Sequence, residues 1–275
     1  MIRAKSSPKE FFISENIRPR KGLGQSFIHD QTVLYRILEI AELSEEDEVI
    51  EIGAGLGALT LLLGEKSKRV IAIEKDDRLL EKLKQKVSNL NNVEIISGDA
   101  LQINLREFHK NNKIKVVSNL PYIISSPILF RLLEERDIFS LLVLMLQREV
   151  GERICALPGS KLYGSISVLI QTYMDTSIEL NVPPEAFWPK PKVWSVVIKL
   201  IPLKSPRIYI PDEKLFKKII RAAFSTRRKM LLNSLCTLFP KEKVKEILNK
   251  SDIDGKRRAE SLTIDEFGKL TISSL

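Results

Sequence analysis

Residues 48–74 read EVIEIGAGLGALTLLLGEKSKRVIAIE, and the elements within this stretch set the architecture. Its two apolar runs, 48–53 and 69–74, lack the alternation of half-exposed strands, which is typical of strands buried on both faces. A helical pattern at 56–66 joins them. Two such strands connected by a helix form a parallel unit, with the glycines at the turn from the first strand into the helix.

The same alternation continues along the chain. VEIIS, IKVVSN and FSLLVLML predict a third, fourth and fifth strand, separated by helical patterns. We therefore predict an α/β fold, a doubly wound Rossmann-like domain with helices on both faces of a parallel sheet. A further strand, SVVIKLIP, precedes a proline-rich linker, and only helical patterns follow Pro211. The predicted domains are 1–204, with a basic N-terminal arm, and 205–275, a small all-helical domain.

Charge is concentrated at the two ends of the chain. The sequence has 44 basic and 35 acidic residues, a net charge of +9, and residues 205–275 alone carry 16 basic against nine acidic residues. This distribution favours a polyanionic partner such as a nucleic acid. The longest apolar run, which begins at Ile138, is far shorter than a membrane span of about 20 residues. We expect a cytoplasmic protein with no membrane association and no metal site, because its two cysteines form no ligand motif.

Three features at successive strand ends indicate a bound adenosine cofactor. Gly53, Gly55 and Gly57 follow the first strand, where missing Cβ atoms let a ligand approach the backbone. Glu74 ends the second strand, at the position where a carboxylate binds ribose hydroxyls in such folds, and Asp99 follows the third strand. A tight turn, an acidic strand end and a helix cap are the structural alternatives. The spacing GxGxG departs from the GxGxxG of dinucleotide sites, which favours S-adenosylmethionine over a dinucleotide.

An amide, a proline and an aromatic ring end the fourth strand, as Asn119, Leu120, Pro121 and Tyr122. The exocyclic amine of adenine is a poor nucleophile because its lone pair is delocalised. Hydrogen bonds from this amine to the Asn119 side chain and the Leu120 carbonyl would favour a pyramidal nitrogen. Pro121 restricts Leu120 to extended backbone, and Tyr122 can stack on the base. We predict an amine-binding clamp; a proline that only ends a strand is the alternative.

The order of motifs along the chain resembles one family. The motifs are KGLGQSFIHD, EIGAGLGALT, IEKD, GDAL, NLPY, LQREV, AFWPKPKV, AAFSTRRKMLLNSL and RAESLTIDEF. Together they are similar to those of the KsgA-type small-subunit (16S) ribosomal RNA adenine dimethyltransferases. The resemblance implies that the chain uses S-adenosylmethionine to dimethylate N6 of two adjacent adenines in the 3′-terminal hairpin, during small-subunit biogenesis. The expected partners are this RNA and the immature small ribosomal subunit, bound by a monomer.

The resemblance also assigns roles to individual residues. For the cofactor it implies Gln25, Ser26 and Ile28 as a cover, Gly53 and Gly55 at the methionine end, Glu74 at the ribose, and Asp99 with Ala100 at the adenine, with Asn119 as a further cofactor-binding residue. For the target base it implies Asn119 and Tyr122, with Phe187 as a second aromatic that sandwiches the base; a core aromatic is the alternative for Phe187.

Some positions depart from the family or fit a second interpretation. Ser26 stands where the family usually has Asn, Ala54 where it often has Pro, and Trp194 where Asp is common. Residues 227–229, which are Arg227, Arg228 and Lys229, are predicted to bind RNA phosphates, although a solvated face is the alternative.

Three other functions compete with small-subunit RNA methylation. The large-subunit RNA adenine methyltransferases that give antibiotic resistance share the glycine loop and the clamp. A non-catalytic ribosome assembly factor would keep the fold without the reaction. A nicotinamide oxidoreductase is disfavoured by the glycine spacing and because no general acid or base is evident, since His29 lies in the N-terminal motif and His109 in a polar loop.

Overall fold

The computed structural model describes residues 7–110, 112–226 and 228–275. The strands in these ranges are β1 (Phe27–Ile28), β2 (Glu48–Ile52), β3 (Arg69–Glu74), β4 (Val93–Ser97), β5 (Ile114–Asn119), β6 (Phe139–Gln147), β7 (Met174–Val182), β8 (Phe187–Trp188) and β9 (Ser195–Pro202). The helices are α1 (Pro8–Ser14), α2 (Gln31–Ala41), α3 (Ala58–Gly64), α4 (Asp77–Lys86), α5 (Ser125–Glu134), α6 (Arg148–Ile154), α7 (Ser165–Tyr173), α8 (Glu213–Phe224), α9 (Leu231–Leu235), α10 (Lys241–Ser251) and α11 (Ile264–Ser273).

Seven strands form one sheet in the order β4-β3-β2-β5-β6-β9-β7. The first five of these strands pair in parallel, as the sequence predicts. β9 pairs antiparallel with β6, a direction that the sequence analysis does not assign. The strand order reverses between β2 and β5, so the loops after these two strands diverge and leave a crevice at the carboxyl edge of the sheet.

Acidic caps fix where the helices around the sheet begin. The Asp30 side chain accepts hydrogen bonds from the backbone N–H groups of Thr32 and Val33 at the start of α2. Asp76 has the same role at the start of α4, directly after β3. These caps satisfy helix N–H groups that have no partner within the helix, so each helix starts at a defined distance from its strand.

Two apolar clusters hold the first part of the chain together. The larger one joins α2 and α3 to the faces of β2, β3, β5 and β6. The smaller one packs Phe11 and Phe12 of α1 against Phe27 and Leu79, with Trp188 beside them. The second cluster fixes the N-terminal segment against α4 and the short β1–β8 ribbon. The sequence pattern does not predict that these three segments pack together.

The chain divides into two compact units, 1–151 with 177–202, and 152–176 with 203–275. The boundary at 202/203 lies within two residues of the predicted one at 204, but residues 152–176 belong to the second unit, where α7 packs against α8. The second unit consists of α7 to α11, and the buried face of α8 is formed by Phe216, Ile219, Ile220 and Ala223. None of the described helices combines the length and apolarity needed to cross a bilayer.

Candidate active site

A cavity of about 610 Å³ lies within the first unit, at the carboxyl ends of β2 to β5. Its volume is in the range of sites that bind small molecules, about 300–1,000 Å³. With the exception of Gly57 and Phe187, all predicted cofactor and clamp residues line it: Gln25, Ser26, Ile28, Gly53, Gly55, Glu74, Asp99, Ala100, Asn119, Leu120, Pro121 and Tyr122. Residues far apart in sequence therefore converge on one cavity.

The glycine loop adopts backbone conformations that other residues rarely reach. Gly53 and Gly55 have φ angles of 78° and 57°. The N–H group of Gly53 donates to the Ile73 carbonyl at 2.8 Å, which ties the loop to β3. A Cβ atom on Gly53 would lie 3.1 Å from the Pro121 ring, so the cofactor loop and the clamp touch directly.

Glu74 organises the glycine loop through both carboxylate oxygens. Its Oε2 accepts a hydrogen bond from Gly55 N at 2.7 Å, and its Oε1 accepts one from Asp76 N at 2.8 Å. Burial raises the pKa of the Glu74 carboxyl, and these two hydrogen bonds oppose that rise. Each oxygen keeps a second lone pair, so Glu74 can shape the loop and still accept hydrogen bonds from a ligand.

Glu51 is a cavity residue that the sequence analysis did not identify. It lies in β2, lines the cavity and is 3% exposed. Its Oε2 atom has no hydrogen-bond partner among the described residues. Burial, with a smaller contribution from the charge of Glu74, raises the pKa of Glu51 to about 8. The signal in the sequence is a carboxylate inside a strand that is otherwise apolar on both faces.

The raised pKa of Glu51 predicts a pH-dependent stability. Between pH 4.5 and about 8 the folded protein keeps a proton that the unfolded chain loses. The contribution of Glu51 to the free energy of unfolding therefore falls as pH rises through this window, by up to about 1.4 kcal/mol per pH unit. Glu51→Gln removes this titration, so its stability relative to the wild type should increase from pH 5 to pH 8 in urea unfolding.

The matched control for this experiment is Glu65→Gln, at an exposed glutamate just after α3. Its stability relative to the wild type should change little over the same pH range. A constant difference between Glu51→Gln and the wild type from pH 5 to pH 8 would show that Glu51 is not the titrating group.

Asp76 connects the N-terminal segment to the cavity and was also not identified from the sequence as a site residue. Its fully buried side chain accepts hydrogen bonds from Arg78 and, at 2.7 Å, from Gln25 Nε2, and Arg20 lies 3.4 Å away. Burial opposes ionisation of Asp76, yet these hydrogen bonds and the two arginine charges hold its pKa below the ordinary value. Gln25 Oε1 accepts from Arg20 N, so both ends of the Gln25 amide are fixed.

Asn119 is held by the same N-terminal segment. Its Nδ2 donates to the Ser26 carbonyl at 3.1 Å, which leaves Oδ1 as an acceptor. The Ser26 hydroxyl donates to the Pro189 carbonyl at 2.8 Å. The shorter side chain at position 26 therefore contacts the proline-rich loop, while its backbone orients the Asn119 amide.

Leu120 and Tyr122 are fixed by contacts to the neighbouring strands. Leu120 N donates to the Met145 carbonyl of β6 at 3.0 Å. The Tyr122 hydroxyl lies 2.6 Å from the Ser195 hydroxyl at the start of β9. Burial raises the pKa of Tyr122, and the hydrogen bond with Ser195 opposes this rise. The ring is therefore neutral at physiological pH and tethered at its far end.

Asp99 lines the cavity but also has structural contacts. Its carboxylate forms a 2.7 Å ion pair with Lys75 and accepts a hydrogen bond from Leu101 N at 3.0 Å. The Lys75 hydrogen bond, followed by that from Leu101, lowers the pKa of Asp99. Asp99 is thus both a cap and a charged wall of the cavity.

Phe187 is placed differently from the expectation. It is 3% exposed, pairs with Ile28 in the β1–β8 ribbon and belongs to the main apolar cluster. It does not line the cavity. In this structure Phe187 packs as a core aromatic, because the β1–β8 pairing turns the first aromatic of the proline-rich loop toward the core. Its base-stacking role stays a prediction.

The predicted RNA-contacting residues lie between α8 and α9. Arg228 and Lys229 are exposed, whereas Arg227 lies outside the described residues. In the described ranges, no group of three or more histidine, cysteine, aspartate or glutamate side chains is arranged to hold a metal ion.

The parallel sheet, the glycine loop at its switch point and the polar clamp after β5 define a Rossmann-like methyltransferase. Residues 16–273 match the ribosomal RNA adenine dimethylase family, and the chain belongs to this family. The predicted resemblance is therefore confirmed.

Individual relatives agree with this family. The chain is 46% identical to ribosomal RNA small subunit methyltransferase A of Clostridium botulinum (strain Okra / Type B1), over 96% of each sequence. A crystal structure of a dimethyladenosine transferase from Plasmodium falciparum has a TM-score of 0.77 and 30% identity, covering 90% of this chain and 96% of that one. The 23S rRNA methyltransferase ErmE shares the fold, with a TM-score of 0.69 and 23% identity over 90% of this chain and 98% of its own.

Proposed function

We propose that this protein dimethylates N6 of two adjacent adenines in the 3′-terminal hairpin of small-subunit ribosomal RNA. Membership of the ribosomal RNA adenine dimethylase family and 46% identity to a protein named ribosomal RNA small subunit methyltransferase A support this proposal. The observation that carries the chemistry is the Asn119 amide, whose Nδ2 is bonded to the Ser26 carbonyl and whose Oδ1 remains an acceptor.

The residues of the cavity fit S-adenosylmethionine as the methyl donor. Gly53 and Gly55 line the cavity with positive φ angles, and a Cβ atom on either would lie 3.1 Å from Pro121 or Phe27, so the loop is built for glycine. Glu74 keeps acceptor capacity for ribose hydroxyls, and the Glu51 oxygen that has no partner among the described residues offers a polar contact for a ligand. When bound, this donor supplies an electrophilic methyl group on a sulfonium. No metal is part of the proposal.

Asn119 and Leu120 would activate the target amine. Two hydrogen bonds from the adenine N6 hydrogens, to Asn119 Oδ1 and the Leu120 carbonyl, pull the nitrogen toward a pyramidal geometry and concentrate its lone pair. The Tyr122 ring, tethered through Ser195, would stack on the target base. This stacking would offset part of the free energy, about a few kcal/mol, that is needed to unstack the base from the RNA.

No strong general base is needed in this mechanism. The C–N bond to the target amine would form as the donor's C–S bond breaks, and the resulting cationic amine would be acidic enough to lose its proton to water. The second methyl transfer repeats these steps on the same nitrogen. The residues of the clamp therefore bind and orient the amine rather than remove its proton.

The test is transfer of labelled methyl groups to undermethylated small ribosomal subunits, with large subunits and free ribosomal RNA in parallel, followed by mapping of reverse-transcriptase stops. The expected result is label on two neighbouring adenines near the small-subunit 3′ end. Label in large-subunit RNA would instead support the resistance type of enzyme. Tight subunit binding without any label would indicate an assembly factor.

The proposed physiological partner is the immature small ribosomal subunit, bound by a monomer in the cytoplasm. The charge excess of the C-terminal residues supports contact with RNA, and Arg228 and Lys229 are exposed there. Arg227 is part of the same proposed contact on the basis of the sequence.

Phosphate contacts predict a steep salt dependence of RNA binding. Each cation that meets a phosphate releases counterions, so Arg228→Ala should reduce the slope of log affinity against log salt by about one. The matched control is Lys66→Ala, at an exposed lysine before β3, at the sheet edge away from the cavity. Filter binding at several salt concentrations measures both slopes. Equal slopes for Arg228→Ala and the wild type would remove Arg228 from the interface.

A further inference from the structure

Trp194 is a large apolar side chain that the fold leaves open to solvent. The residue is 44% exposed, and the adjacent Val193 is 45% exposed. Its backbone is nevertheless fixed, because the Trp194 carbonyl accepts a hydrogen bond from Arg148 N at 2.9 Å. An exposed indole on a rigid backbone is unusual, since tryptophan is normally well buried in a monomer.

The sheet places Trp194 at the edge that carries the cavity. β9 pairs antiparallel with β6, and its first residue, Ser195, lies opposite Gln147, the last residue of β6. β6 runs parallel to β5, which ends at Asn119. The start of β9 and the clamp are therefore at the same end of the sheet.

A direct contact connects this position with the clamp. The Ser195 hydroxyl lies 2.6 Å from the Tyr122 hydroxyl, and Ser195 directly follows Trp194. Ile123, next to Tyr122, is 56% exposed and lines the cavity. On the other side of Val193, Lys192 is exposed. Apolar surface thus lies next to the predicted base-binding residue Tyr122 on both chain segments, and the segment that contains Trp194 also carries an exposed cation.

We propose that Trp194 stacks on a nucleobase of the RNA that neighbours the methylated adenine. This inference rests on the proposed function. Withdrawing an adenine from an RNA stack exposes the faces of its neighbours, and an indole near the point of withdrawal can cover one of them. Lys192 supplies the charge that a nearby phosphate requires. Trp194 is thus a positioning residue for the RNA outside the reacting base.

The experiment compares Trp194→Ala, Trp194→Phe and Trp194→Leu in methyl transfer to undermethylated small subunits. Stacking on a single base is worth about 1–3 kcal/mol, so Trp194→Ala should raise the KM for subunits about 5- to 150-fold. The kcat at saturating subunits and the affinity for S-adenosylmethionine should stay within about twofold. Phenylalanine should restore most of the loss, whereas leucine should not, because it keeps apolar area but has no ring.

Ile201→Ala is the matched control. Ile201 is 41% exposed and lies near the far end of β9, the strand that Trp194 directly precedes. Its replacement should leave the KM for subunits unchanged, and thermal unfolding should show that all variants fold. A wild-type KM for Trp194→Ala, or full function of Trp194→Leu, would overturn the stacking role.

The two proposals fail in different ways. If the wild type labels the two adenines and Trp194→Ala has a normal KM, only the inference on Trp194 fails. If the wild type transfers no label to small subunits, the proposed function fails. Filter binding of subunits to the wild type and to Trp194→Ala then still tests the stacking contact: equal affinities would overturn it.

Discussion

Asn119→Ala is expected to reduce the rate of methyl transfer by about two to three orders of magnitude or more. This magnitude is taken from other enzymes, in which the loss of one preorganised hydrogen-bonding group lowers kcat by about 10²- to 10³-fold. Alanine removes the acceptor for one N6 hydrogen and also the Nδ2 contact to the Ser26 carbonyl at 3.1 Å. Single-turnover transfer to undermethylated small subunits measures the effect. An unchanged rate would overturn the mechanism.

Ser26→Ala separates the two roles of Asn119. This variant removes the hydroxyl that donates to Pro189 but keeps the backbone carbonyl that accepts from Asn119. Its transfer rate should stay within a few-fold of the wild type. A loss as large as that of Asn119→Ala would mean that the position of the N-terminal segment, rather than the acceptor on Asn119, controls the rate.

The parallel core and its ligand edge were predictable because they depend on local patterns. Apolar runs that alternate with helical patterns predict the strands β2 to β6 along the chain and their parallel direction. Polar residues at their carboxyl ends then converge on one cavity, since parallel strands end at the same edge. Gly53, Glu74 and Asn119 all line that cavity. The direct contact between the loop at Gly53 and the ring of Pro121 follows from the switch in strand order.

The features that the sequence did not predict depend on pairings between distant residues. The antiparallel direction of β9 depends on the connection from β6 through the second unit. The burial of Phe187 depends on its pairing with Ile28, in a ribbon of two residues per strand that is too short to produce a pattern. The network of Asp76 with Gln25 and Arg20 likewise spans about 50 residues of sequence.

Glu51 is a cavity residue with a recognisable signal in the sequence of β2. A carboxylate in the middle of a strand buried on both faces conflicts with the local preference for apolar residues. Such conflicts are expected mainly at functional sites, because burial of an unpaired acid costs stability. The fold tolerates Glu51 by keeping it protonated near neutral pH, as its pKa of about 8 indicates.

Glu74→Ala is expected to weaken binding of S-adenosylmethionine by about 100-fold or more. The change removes the proposed ribose contact and leaves the N–H groups of Gly55 and Asp76 without the acceptors they have at 2.7 and 2.8 Å. A buried N–H group without a partner costs about 1–3 kcal/mol, so the glycine loop should lose its shape as well. Isothermal titration with S-adenosylmethionine measures the affinity.

Two comparisons make the Glu74 result specific. Glu74→Gln keeps one carbonyl oxygen for one of the two N–H groups, so its affinity should fall between those of the wild type and Glu74→Ala. Asn119→Ala should bind S-adenosylmethionine far better than Glu74→Ala, because the Asn119 side chain donates to the Ser26 carbonyl, whereas Glu74 accepts from Gly55 of the glycine loop. Equal losses of affinity in both variants would mean that the clamp and the cofactor loop, joined through Gly53 and Pro121, act as one binding unit.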